Sequence, residues 1–128
     1  MILGVAQVAL LVREYDEAIA FYAGVLGFVV VEDTPLDTKR WIRLRAPGER
    51  GAELVLSRAS ESQREHVGKQ AGGRVFLFLH TSDLDADYAR LVAAGVTFTE
   101  PPRGEPYGRV AVFLDLYGNR IDLIEPPR

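Results

Sequence analysis

Seven polar side chains fall at alternating positions of runs that otherwise read as β-strands: Gln7, Arg43, Glu53, Arg74, Arg109, Arg120 and Asp122. Trp41, Phe76, Phe78 and Phe113 share their parity. Successive side chains of a strand point to opposite faces. A face buried in a pure core would not carry charges at mid-strand, because an unpaired buried charge is costly. The mixed parity therefore reads as a concave face with polar groups and aromatic walls, the usual lining of a small-molecule site. Aromatic walls suit a flat or extended apolar ligand. Arg43 and Arg109 would hold an anionic or carbonyl group at its rim. The competing reading packs these aromatics between two halves of the chain or against a second copy.

Other chemistries lack their residues. The 128-residue chain has no cysteine, so disulfides, thiolate metal sites and thiol nucleophiles are excluded. No Ser/His/Asp arrangement or phosphate-binding loop is visible. Of the two histidines, His66 lies in a polar stretch and reads as a surface residue. His80 shares the parity of Arg74 but lies ~20 Å further along a strand, and it reads as a strand end. The net charge of −3, with neither sign in a long block, argues against nucleic acid or an anionic membrane as partner. Met1-Ile2-Leu3-Gly4 has no basic leader, and no apolar run is long enough to cross a bilayer. The expectation is a cytoplasmic protein with no membrane partner.

The elements that position these residues come in two copies. A strand over 5–12 leads to a helix that stops at Gly27, and a strand over 74–79 leads to a helix that stops at Gly95. The offsets are 67 from Gln7 to Arg74 in the strands and 68 between the glycines. Ala18, Phe21, Tyr22, Val25 and Leu26 form one apolar stripe, and Leu84, Tyr88, Leu91 and Val92 form the other. Each glycine suits a left-handed helix cap. Ser82 with Asp85 resembles a capping box. Short β-prone runs follow at 28–31, 41–44 and 53–56, then at 96–99, 110–114 and 120–124. The aliphatic parity should lie under the helices: Val8, Leu10 and Val12; Ile42 and Leu44; Leu54 and Leu56; Val75, Leu77 and Leu79; Val110, Val112 and Leu114; Ile121 and Leu123. The fold class is α+β, two tandem βαβββ modules forming an open, cleft-bearing mixed sheet. The chain is expected to be one domain, with module one at about 3–57, a linker at about 58–73 that is helical in part or not, and module two at about 74–126. The turn-rich loop 101–108 reads either as a lid with Tyr107 pointing in or as a plain connector.

Residues 11–28, with Asp16-Glu17-Ala18-Ile19-Ala20-Phe21-Tyr22 and Val25-Leu26-Gly27-Phe28, resemble the opening of a vicinal oxygen chelate module. Asp115-Leu116-Tyr117-Gly118-Asn119-Arg120-Ile121-Asp122-Leu123 resembles its closing hairpin. With the doubled layout, the chain resembles the superfamily of glyoxalases, bleomycin-resistance proteins and extradiol dioxygenases over nearly its whole length. The fold alone does not choose among those activities. The resemblance implies that metal-using members would place four ligands at Gln7, Glu53, Arg74 and Asp122. Arg74 departs from that pattern, because a guanidinium has no lone pair to give. At ~5 Å and an effective dielectric of ~20 it would repel a divalent ion by about 6–7 kcal/mol. Arg74 instead reads as an internal cation between Glu53 and Asp122; if it swings to solvent, Gln7, Glu53 and Asp122 could still hold a metal weakly.

Two functions follow. In the preferred one, the protein sequesters an aromatic or apolar compound such as an antibiotic, with no metal and no cofactor. Its ligand-binding residues would be Gln7, Trp41, Arg43, Glu53, Arg74, Phe76, Phe78, Tyr107, Arg109, Phe113 and Asp122. In the alternative, a divalent ion on Gln7, Glu53 and Asp122 serves a lyase, isomerase or dioxygenase acting on vicinal oxygens. The resemblance also implies a homodimer, since strands at a module edge need cover.

Overall fold

The computed structural model describes residues 1–48 and 50–128, and Glu49 lies outside them. The chain divides into two compact units, Met1–Val67 and Gly68–Arg128.

The first unit contains β1 (Gln7–Val12), α1 (Tyr15–Ile19), β2 (Val29–Leu36), β3 (Lys39–Arg45) and β4 (Glu53–Arg58). The second contains β5 (Val75–His80), α2 (Leu84–Ala93), β6 (Phe98–Glu105), β7 (Gly108–Leu114) and β8 (Arg120–Glu125). The sheet orders are β1-β4-β3-β2 and β5-β8-β7-β6. In each, the first strand pairs parallel with the last, and the remaining pairs are antiparallel. This is the expected pair of open βαβββ modules.

The helix ends follow local chemistry. α1 continues as a π-helix over Ala20–Val25, and Gly27 then takes φ +87°. Gly95 takes φ +88° after α2, where Val96 N–H reaches the Leu91 carbonyl. Both glycines therefore end their helices in the left-handed region that Cβ disfavours. The α2 cap lies one residue later than Ser82: the Asp83 carboxylate accepts from Ala86 N–H at 3.1 Å. Ala18 and Tyr22 in one unit, and Leu84 and Leu91 in the other, are buried beneath their sheets, whereas Val92 is exposed.

Part of the inter-strand segment is helical. Ser60 and Gln63 form a capping box on a 3-10 helix over Glu61–His66. Residues 101–108 connect two strands. They form the end of β6, a two-residue turn at 106–107 and the start of β7. Pro101 and Pro102 are tolerated because β6 is an edge strand whose register shifts between Glu100 and Arg103.

The Asp115–Asn119 hairpin explains its own motif. Asp115 Oδ1 accepts from the backbone N–H of Tyr117 and Asn119, and its Oδ2 accepts from Asn119 Nδ2 at 2.9 Å. Gly118 completes the turn at φ +90°. These residues hold the entry to β8. Among the described residues, no helix is long and apolar enough to cross a membrane.

Candidate functional site

In the first module the expected parity holds except at Val8, which is 40% exposed. Leu10, Val12, Ile42, Leu44, Leu54 and Leu56 are buried on the helix side. Register places Gln7 beside Glu53, and Arg43 beside Val55, on the other face. Arg43 donates Nε to Glu53 Oε1 at 2.7 Å and Nη2 to Glu53 Oε2 at 3.0 Å. Gln7 Nε2 adds a bond to Oε1 at 3.2 Å. The third guanidinium nitrogen, Nη1, donates to Glu32 Oε1 at 2.9 Å, which also accepts from Trp41 Nε1 at 3.1 Å. Thr34 donates to Glu32 Oε2. The result is one charge-assisted network of Gln7, Glu53, Arg43, Glu32, Trp41 and Thr34. Hydrogen bonding to Arg43 holds the Glu53 carboxyl below its ordinary range, with Gln7 contributing. Arg43 does the same for Glu32, with Thr34 and Trp41 assisting. Glu32 and Thr34 were missed because β2 was expected to end at Val31. The polar alternation of Glu32 and Thr34 beyond that point was the available signal.

In the second module, Asp122 stands in register with Val112 of β7 and Phe78 of β5. Asp122 is buried at 8% exposure, and its Oδ1 has no hydrogen-bond partner among the described residues. Burial pushes its carboxyl above the ordinary value; Arg103 opposes this, Glu100 adds to it and Arg120 opposes it. Arg103 is itself engaged, bonding Glu105 at 2.8 Å and standing 3.2 Å from Glu100. Phe76 is half-buried on β5, and Phe78 is 65% exposed. Tyr107 is exposed in the β6–β7 turn. Arg74 is exposed in the bend before β5. The cation on Glu53 within its own module is thus Arg43.

Two expected site residues lie on the opposite face. Arg109 donates Nη1 and Nη2 to Asp85 of α2 at 2.9 and 3.0 Å. Phe113 is fully buried, directly across from Phe98, whose ring lies 4.6 Å from Tyr88 of α2. Both therefore face the helix, and Val110, Val112 and Leu114 face the other way. The cause is that Val110, Ala111, Val112 and Phe113 are all buried, so hydrophobicity has no phase in this strand. Pairing of Phe113 with Ile121 sets the phase instead. The repeat carried the answer: Ile42 and Leu44, moved by the 69 positions that relate Glu53 to Asp122, land on Ala111 and Phe113.

The donors do not fit a divalent ion. Both oxygens of Glu53 are held by Arg43, so an ion there would have to displace a guanidinium. Arg74 has no lone pair to offer. No group of three or more His, Cys, Asp or Glu side chains is suitably placed among the described residues. Surface hollows of about 320 and 390 Å³ lie elsewhere, at the β2–β3 and β6–β7 ends, where they include Arg40 and Arg109 respectively. Both are lined largely by charged and turn residues and include none of the site aromatics.

The profile of the Glyoxalase/Bleomycin resistance protein/Dioxygenase superfamily matches residues 4–123. A protein of Shewanella frigidimarina is 48% identical over 124 residues, spanning 94% of this chain and 92% of its own. The crystal structure of UcmS2 superposes with a TM-score of 0.84 at 32% identity, covering 98% of this chain and 99% of that one. That of TnmS3, an antibiotic binding protein from Streptomyces sp. CB03234, gives 0.80 at 32% identity, with 98% of each chain covered. A profile match across nearly the whole chain, on a doubled βαβββ fold, shows that the chain belongs to the glyoxalase/bleomycin resistance protein/dioxygenase superfamily.

Proposed function

We propose that this protein binds and sequesters a small aromatic or apolar molecule, an antibiotic being the type of compound, without a metal and without chemistry on it. The observation that carries this reading is the two-pronged seat of Arg43 on Glu53, which commits the carboxylate to an internal cation. The description of TnmS3 as an antibiotic binding protein supports it. So do Trp41, Phe76 and Phe78, aromatics on the polar sheet faces that the two modules do not bury in their cores. Their large flat surfaces offer stacking beyond simple burial. Gln7, Arg43, Glu53, Arg74, Tyr107 and Asp122 complete the proposed ligand-binding set. Because Arg109 and Phe113 face α2, they are left out of it.

The test uses Trp41, the only tryptophan. Titration of the metal-stripped protein with flat aromatic compounds, antibiotics included, should quench or shift its emission, and elemental analysis after incubation with divalent ions should find no retained metal. Binding that appears only after metal is added would favour the lyase, isomerase or dioxygenase alternative. The proposal extends to a cytoplasmic homodimer. Ile2, Leu3 and Val5 are 91%, 93% and 72% exposed in one chain, an apolar stretch that a second copy would cover. A monomer mass by light scattering at micromolar concentration would reject the dimer.

A further inference from the structure

Corresponding positions of the two modules treat their carboxylates differently. Glu53 and Asp122 are 69 residues apart, and each lies on its module's last strand. Glu53 is met by Arg43. The residue 69 positions after Arg43 is Val112, which stands directly across from Asp122. The second module therefore keeps the carboxylate and has valine where its cation would be. Arg103 makes no hydrogen bond to Asp122: its Nε donates to Glu105, and its Nη1, 3.2 Å from Glu100, has no hydrogen-bond partner among the described residues. Two residues before Asp122, on the same side of β8, Arg120 has a buried Nε that also lacks a hydrogen-bond partner among the described residues. Val112 and Phe78 stand in register with Asp122 and Leu114 with Arg120, while Arg103 and Glu100 are the other charges that act on Asp122. Buried polar atoms are nearly always hydrogen-bonded, so an acceptor and a donor without partners on one side of one strand call for an explanation.

Resting on the aromatic-ligand reading above, we infer that Asp122 and Arg120 form a polar subsite that recognises an adjacent donor and acceptor on the ligand, as in a carboxamide or a hydroxy-ketone. The ligand's N–H or O–H donates to Asp122 Oδ1, and its carbonyl oxygen accepts from Arg120 Nε–H. The corresponding polar groups of the first module bond one another.

The experiment is a calorimetric titration of the whole protein with 2-naphthamide and N,N-dimethyl-2-naphthamide, which share an aromatic body and a carbonyl but differ in the N–H donor. The wild type should prefer 2-naphthamide by on the order of 10- to 100-fold, the size of one hydrogen bond to a charged group. Asp122→Leu should remove the preference by weakening 2-naphthamide alone, and Arg120→Met should weaken both compounds. Thermal melts of each variant check folding, and the wild-type comparison needs no variant. Equal, measurable affinities in the wild type would overturn the subsite and leave the aromatic-ligand reading standing. A preference that survives in Asp122→Leu would also overturn it, because the extra methyl groups would then be acting by bulk. Binding of neither compound at millimolar concentration would overturn both the subsite and the reading on which it rests.

Discussion

Truncating Phe113 to alanine separates a core residue from a ligand-binding one. The ring is fully buried, and its centroid lies 5.5 Å from that of Phe98, which packs edge-on against Tyr88 of α2. Removing a buried phenylalanine side chain costs ~3–5 kcal/mol through lost transfer energy and the cavity left behind. Loss of the Phe98 pairing, ~0.5–1.5 kcal/mol, places the expected value in the upper half of that range. Domains of this size are stable by roughly 5–15 kcal/mol, so Phe113→Ala should remove a third or more of the total and lower Tm by about 10–20 °C. Phe78→Ala is the matched control: its side chain is 65% exposed, so its truncation should cost under ~1 kcal/mol while weakening binding of aromatic ligands. Urea denaturation at 25 °C, followed by circular dichroism with the slope checked for constancy, measures both. Near-wild-type stability of Phe113→Ala together with weakened ligand binding would put Phe113 back on the ligand face and refute the assignment of strand faces.

Three further outcomes follow from the same geometry. Asp122→Leu should raise Tm at neutral pH, because an apolar side chain replaces a buried, unpartnered carboxylate; since the native carboxyl is raised above its ordinary 3.8, the wild type loses stability as pH rises through that range, so the variant's advantage should shrink toward pH 3.5 in melts across pH, and an advantage independent of pH would contradict this. Glu53 has the opposite sign: its lowered carboxyl contributes stability that is full above its ordinary 4.5 and is lost as pH falls through its native value, so Glu53→Gln should flatten the acid limb of the same melts, and an unchanged limb would count against the Arg43 pairing. Gly68→Ala should destabilise by more than ~1 kcal/mol, because Gly68 takes φ +86° and a Cβ there would run into the Tyr117 carbonyl oxygen; a neutral urea midpoint would refute the close approach.

The module layout was legible in the sequence because it rests on local signals. Period-2 and period-3.6 patterns, two glycines at helix ends and a constant offset suffice for a doubled βαβββ fold. The face of the first module was legible too, since Gln7, Trp41, Arg43 and Glu53 alternate with buried aliphatics on strands with one wet side. The repeat also hides a device that only the tertiary structure reveals. Arg40 bonds Asp16 and Arg109 bonds Asp85, each clamping a hairpin strand to the start of the module's helix, and each partner of the second pair lies 69 positions after that of the first. In sequence these read as scattered surface charges, because nothing local says that β3 begins beside the helix.

What the chain determines by itself is therefore the list of elements, their order and the identity of the carboxylates on the closing strands. Register and partner choice belong to the tertiary structure. β7 is apolar on both sides, so only its pairing with β8 turns Phe113 toward α2 and Val112 toward Asp122. The cation that meets Glu53 within its own module is Arg43 from the neighbouring strand; ion pairing depends on distance across the sheet, and distance is fixed only when the strands are hydrogen-bonded.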